Sequence, residues 1–193
     1  TAGIRNYSKT SDFLSGNLPL SLGSFDLLET TTLTSTASSV TFSGLDAYSD
    51  YKHLQIRMVL RSARADNTSD TWTVRFNGVS STSYAYHRLR GFNSAVTSLP
   101  SISTTAIDIA SFPTSIATAS NFGTSVIDIL DFSSVNKNTT TRTLNGRVGD
   151  STDRIHFNSG LYNSTDAVTS ISLQSSQTFD AEIGTRVSLY GVK

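Results

Sequence analysis

The sequence predicts an all-β protein: a two-sheet antiparallel β-sandwich of jelly-roll type over residues 25–193, preceded by an extended N-terminal arm over residues 1–24. Three observations predict it. Short segments in which apolar and polar residues alternate recur along the chain, the period of a strand that covers a core with one face. Clusters of Gly, Asn, Asp and Ser separate them. No segment carries an apolar stripe of helical period over three turns. Composition agrees: of 193 residues roughly three in ten are Ser or Thr, while Lys and Glu, the staples of exposed helices, are scarce.

Taken in order, the first 24 residues carry isolated apolar groups at Phe13, Leu14, Leu18, Leu20 and Leu22 among Gly, Pro and Ser, with no sustained period. So many large apolar groups are unusual for a solvated tail, and they are expected to dock on a neighbouring subunit. From "FDLLETTTLTS" the strands begin. Val40 and Phe42 alternate with Thr and Ser in "SSVTFSG". In "YKHLQIRMVLRS", Leu54, Ile56, Met58 and Leu60 fall on one side, and His53, Gln55, Arg57, Val59 and Arg61 on the other. Trp72, Val74 and Phe76 alternate with Thr71, Thr73, Arg75 and Asn77, and Asn77-Gly78 ends that strand with residues that accept positive φ. "SYAYHRLRG" alternates less cleanly. "TTAIDIAS" and "TSVIDILDF" bracket an Asp with Ile, "TTTRTLNGRVG" holds a second Asn-Gly at Asn145-Gly146, and "DRIHFNSGLYN", "AVTSISLQS" and "TRVSLYGVK" complete about ten strands.

The chemistry-bearing residues are sparse. Lys plus Arg equals Asp plus Glu at 15 each, so no global field draws the chain to nucleic acid or to a membrane, and neither a secretory signal nor an apolar span occurs. Cysteine is absent, which removes disulfides and thiolate chemistry. No G-x-S-x-G elbow supports a nucleophile. His53, His87 and His156 lie in three different strands without ligand spacing, so no metal and no cofactor is expected, and a surface or inter-subunit hydrogen-bonding group is the reading for each. Asp66, Asn67 and Asp70, like Asp150 and Asp153, read as turn residues rather than a cation loop. Asp108, Asp128 and Asp131 are the candidates for a carboxylate pair in polysaccharide cleavage, and each reads more simply as the solvated side of a strand. No catalytic residue is assigned, and the chain is read as no enzyme.

What stands out is local. Arg57, Arg61, Arg64 and Arg75, with His87, Arg88 and Arg90, gather positive charge between residues 53 and 90 of a chain that is neutral overall. Tyr84 and Tyr86 are interleaved, and Arg with Tyr is the mixture enriched at protein interfaces. An inter-subunit or partner face built on Arg57, Arg61, His87, Arg88 and Arg90 is therefore expected, in preference to specific nucleic-acid binding.

The blocks "TTTLTSTASSVTFSGL", "YKHLQIRMVLRS", "VRFNG", "YAYHRLRG", "SVIDILDFSSVNKNTTTRTLNG", "SGLYNSTDAVTSISL" and "SLYGVK", in that order from about Leu27 to Lys193, resemble small β-sandwich virion proteins of tailed bacteriophages. The resemblance implies a structural part of the particle. One expectation is a capsid decoration, or cement, protein on the outer capsid surface, a homotrimer that grips the major capsid protein. The alternative is a tail fibre or baseplate component that binds a receptor or carbohydrate, for which Tyr48, Tyr51, Phe92, Asn93 and Tyr162 are the candidate stacking groups. A short arm suits the first better than the second, because a fibre needs a shaft or attachment domain before its tip.

Overall fold

The computed structural model describes residues 24–148 and 153–193. In chain order these form β1 (Phe25–Thr32), β2 (Ser39–Ser43), a 3₁₀ turn (Leu45–Tyr48), β3 (His53–Leu60), β4 (Ser69–Phe76), β5 (Tyr84–Phe92), β6 (Ala95–Thr104), β7 (Ile107–Pro113), β8 (Gly123–Leu130), β9 (Thr139–Arg147), β10 (Arg154–Tyr162), β11 (Ser170–Ser175) and β12 (Arg186–Val192). Eight strands make one sheet in the order β1-β12-β3-β8-β9-β10-β5-β6, and four make a second in the order β2-β11-β4-β7. The strand pairings are antiparallel, so the described residues form an all-β, two-sheet antiparallel structure. The arm residues Phe13, Leu14, Leu18, Leu20 and Leu22, and Asp150, lie outside the described residues.

Alternation places the core where the period puts it. Leu54, Ile56, Met58 and Leu60 of β3, Ile127 and Ile129 of β8, and Val187 and Leu189 of β12 face inward. Opposite them stand Val40 and Phe42 of β2, Trp72, Val74 and Phe76 of β4, and Ile171 and Leu173 of β11. Asn77 and Gly78 turn the chain after β4 with φ of 53° and 67°, as that dipeptide predicts.

The second Asn-Gly behaves otherwise. Asn145-Gly146 lies inside β9, and Asn145 is buried on the inner face. There it serves the edge of the other sheet. β7 is the last strand of the four, and it packs against β8, β9, β10 and β5 of the large sheet. Its backbone polar groups need partners from outside its own sheet. Asn145 Oδ1 accepts from the Ser111 N–H at 3.2 Å, and Asn158 Nδ2 donates to the Asp108 carbonyl at 2.7 Å. Arg154 adds a bond to the Ser111 hydroxyl. Where β10 passes beneath β7 a side chain has no room: a Cβ on Gly160 would lie 2.6 Å from Ile107 Cγ2.

The interior is consequently apolar under β3, β8 and β12 and polar under β9, β10 and β5. Inward from β9 and β10 come Thr139, Thr141, Thr143, Asn145, Arg147, His156 and Asn158, all buried. His156, expected as a surface or inter-subunit hydrogen-bonding group, is thus corrected to an interior residue at 2% exposure. β6 was not expected as a strand. Pro100 and a run of Ser and Thr hide its period, and it has little to bury because it is the outermost strand of the large sheet.

Candidate protein-binding surface

The outward face of the eight-stranded sheet carries the surface that most needs an explanation. Strand register aligns Leu89 of β5, Phe157 of β10, Leu144 of β9 and Val126 of β8 in one row across four adjoining strands. The neighbouring row brings Val96 of β6 opposite Gly91, then Ile155 and Gly146. None of the six large side chains is covered: Val126 is 38% exposed, Phe157 47%, Leu89 50%, Leu144 53%, Ile155 57% and Val96 73%. Together they present roughly 500 Å² of apolar surface, the scale of the largest patch on an ordinary monomer and one that usually marks a contact site. Single exposed apolar residues mean little, but six in register do.

Beside this patch runs a polar ladder. Arg142 donates twice to Asp128 Oδ2, at 2.8 and 3.2 Å, and Gln55 Nε2 donates to Asp128 Oδ1 at 2.7 Å. Arg57 Nε donates to Gln55 Oε1 at 2.8 Å, and its guanidinium lies between the rings of Phe25 and Tyr190, 5.3 and 4.5 Å from their centroids. The apolar side of the patch is hollowed where glycine replaces a side chain. Around Gly146 a depression of about 240 Å³ is walled by Val126, Leu144 and Ile155.

The five residues expected on one partner face are divided among three environments. Arg57 and His87 are on the outward face, with His87 Nε2 sharing a hydrogen bond of 2.7 Å with Ser98 Oγ. Arg88 and Arg90 point the other way, since their neighbours in register on β10 are the buried Asn158 and His156. Arg88 pairs with Asp108 at 3.2 Å, and Arg90 binds Thr97 and covers the ring of Phe92. Arg61 is 5% exposed and clamps the loop after β7. Its guanidinium donates to the carbonyls of Ser115, Ala117, Thr118 and Asn121 and pairs with Glu182 at 2.9 Å. Period-2 alternation predicts Arg61 outward, but β3 ends at Leu60 and the alternation ends with it.

The acids that drew attention are each engaged. Burial pushes the Asp108 carboxyl up from its ordinary value, against the Tyr86 hydrogen bond and the Arg88 charge that favour its ionised form. Lys137 holds Asp131 below the ordinary range through a 2.7 Å bond, with His53 3.7 Å away. Arg64 does the same for Asp66. Asp70 is fully buried and accepts from Ser62, Trp72 Nε1 and Ser175; burial raises its carboxyl. Asn67 caps its own turn through the Ser69 N–H. No cluster of three metal-ligating side chains occurs among the described residues. Of the candidate sugar-stacking groups, Tyr162 is buried against Tyr84, centroids 5.0 Å apart, and is unavailable to a ligand.

The apolar row was missed because its members come from four segments far apart in sequence. Val126, Leu144 and Leu89 each look like an isolated apolar residue on the polar side of its own strand, whereas Phe157 alternates with polar residues alongside Ile155, the pattern of a core-facing side. Strand order alone brings them together. Comparison with protein-family models, curated proteins and solved structures found no match to this chain.

Proposed function

We propose that this chain is a structural protein of a bacteriophage particle, a capsid decoration protein that binds the outside of the shell as a homotrimer and holds adjacent major capsid protein subunits together. In this reading the two sheets are a jelly-roll type of sandwich, and residues 1–24 are an arm. Phe13, Leu14, Leu18, Leu20 and Leu22 of the arm bury on the shell after docking. The observation that carries the adhesive part is the outward face of the large sheet, a broad apolar surface with a satisfied polar border, suited to being covered by protein. The virion setting rests on the ordered resemblance of the sequence blocks.

The mechanism is additive. Local three-fold positions of an icosahedral lattice offer three copies of one binding surface to a trimer. Once one protomer is seated, the other two bind at high effective concentration, so modest contacts sum to a durable clamp. Charge-assisted contacts from exposed side chains such as Arg57 and His87 set register more than affinity.

Counting copies on purified particles tests the reading. A decoration protein is present in hundreds of copies and co-sediments with empty shells. A handful of copies, located at the tail, replaces this reading with a receptor- or carbohydrate-binding tail component.

A further inference from the structure

Where β1, β12, β3 and β8 adjoin, the outward face of the large sheet opens into a depression of about 490 Å³. Its walls include Arg57 and Arg186, the apolar Leu27, Val59 and Val126, and Tyr190, with Ser and Thr hydroxyls between them. No described acidic side chain lines it. Register makes the two arginines diagonal neighbours, since Arg186 stands opposite Val59 and Arg57 opposite Ser188. Such neighbours on one face are about 7–8 Å apart, within reach of long side chains. The pair is unusual in this chain. Arg61, Arg64, Arg88 and Arg142 each meet a carboxylate, whereas among the described residues neither Arg57 nor Arg186 does. Arg57 is also held in place, with Nε bonded to Gln55 and the guanidinium against the rings of Phe25 and Tyr190, which leaves both Nη groups to donate. The acids on the flanking strands do not neutralise the site: Glu29 is opposite the inward Leu189 in register, and Asp128 is bonded to Arg142 and Gln55.

We infer that this depression receives a carboxylate from an acidic segment of a partner protein, with Arg57 and Arg186 on either side of it. The inference rests on the decoration reading for the identity of that partner, the shell protein, and it names the chemistry of the contact. Guanidinium groups match a planar carboxylate in geometry as well as in charge. The same face of a second copy would bring two more guanidinium groups, and like charges repel. Continuity with the apolar patch favours a protein over other anions, because Val126 and Thr124 line both this depression and the hollow of about 240 Å³ over Gly146. One row of the sheet runs Arg186, Val59, Thr124, Gly146 across β12, β3, β8 and β9. Two to three strand spacings, roughly 10–14 Å, therefore separate the cationic site from the hollow. Side chains four residues apart in an extended segment share one face and are ~13 Å apart. An acidic side chain and a leucine-sized one at that spacing are the expected signature of the partner. Single-stranded nucleic acid also carries anions, but it needs aromatic platforms for its bases, and the adjoining hollow is walled by Val126, Leu144 and Ile155.

Peptide titration followed by NMR on the full, nitrogen-15-labelled chain tests this. The probe is a capped peptide in which an aspartate precedes a leucine by four residues, with serine and glycine elsewhere. Saturable shifts are expected at Arg57 Nε–Hε and at backbone amides of β12, β3 and β8, extending to Gly146. An asparagine in place of the aspartate should weaken binding about 10-fold, the size of a lost hydrogen bond to a charged group. Arg186→Gln should cause a similar loss with circular dichroism and Tm unchanged, because Arg186 is exposed and no described group bonds to it. Arg57→Gln should do the same, and if it loosens β1 through the lost ring contacts, Arg186→Gln carries the test alone. The preference for aspartate should vanish in concentrated salt, which screens exposed charges. On purified shells, Arg186→Gln should lower affinity about 10-fold as well.

Absence of saturable shifts at millimolar peptide overturns the inference, as does equal binding of the aspartate and asparagine peptides or of the wild type and Arg186→Gln. Inorganic phosphate that binds as tightly as the peptide also overturns it, since the depression would then be a general anion site. If the chain decorates shells and Arg186→Gln decorates them equally well, the inference falls while the decoration reading stands. If copy counting places the chain at the tail while the peptide results hold, the decoration reading falls and the carboxylate site stands.

Discussion

On β10 the ring of His156 has no hydrogen-bond partner at either nitrogen, and Arg88, Arg90, Arg147 and Arg154 surround it. Asn145 of β9 and Arg90 of β5 are its neighbours in register, and Asp108, which faces this region from β7, is taken up by Arg88 and Tyr86. Burial first, and then the four guanidinium charges, push the imidazole from 6.5 down to about 3. The folded state therefore holds a neutral ring at every pH above about 3, whereas the unfolded chain takes up a proton near 6.5. Between these values the unfolded state binds more protons, so this residue's contribution is complete above pH 6.5 and is lost as pH falls toward 3. The slope reaches about 1.4 kcal/mol per pH unit at most. Asp70 and Asp108, whose carboxyls are raised by burial, act in the opposite sense above the ordinary carboxylate value. Denaturant unfolding from pH 7 to pH 4 isolates His156 when the wild type is compared with His156→Gln: their stability difference should shrink or reverse as pH falls. A difference constant with pH would mean that the ring is not held neutral.

Strands are the level at which the sequence was most legible, and the reasons lie in particular elements. β3, β4 and β8 alternate cleanly because one face meets an apolar core and the other meets water, so the inward Leu54, Trp72 and Ile127 are readable without coordinates. β9 and β10 alternate just as strictly between buried and exposed, but apart from Gly160 and Tyr162 the buried residues are Thr, Asn, Arg and His, and the exposed ones include Leu144, Ile155 and Phe157. Hydropathy there is inverted, for two reasons. The inward side must supply hydrogen bonds to the edge of β7, and the outward side presents an apolar surface. That inversion also explains why Asn145 looked like a turn residue and His156 like a surface one. The close crossing of β10 and β7 gives this layer a measurable tolerance. Gly160→Ala forces a methyl group against Ile107 and should cost about 2–3 kcal/mol, within the range for overpacking. Gly146→Ala, whose added Cβ meets nothing within 4 Å, should cost far less. Equal losses in Tm for the two variants would refute the claim that β10 and β7 are in tight contact.

Across the whole molecule, one continuous interior ties the described elements together. The core cluster runs from Val40 to Leu189 and joins both sheets. β1 is held by register along β12 from Phe25 to Thr32. Tyr51 reaches across to donate to Asp26 at 3.0 Å. Arg57 anchors Phe25 and Tyr190 by cation–π contact, which fixes the point at which the chain enters the sheet. The decoration reading gives the apolar groups at Phe13, Leu14, Leu18, Leu20 and Leu22 a role outside the sandwich. Deleting residues 1–24 should leave far-UV circular dichroism unchanged and shift Tm by only a few degrees, the effect of losing about 1 kcal/mol or less. Occupancy on purified shells should fall to background. A truncated chain that still decorates shells at wild-type occupancy would move the grip from the arm to the sandwich, and a truncated chain that no longer folds would make those residues part of the core instead of an arm.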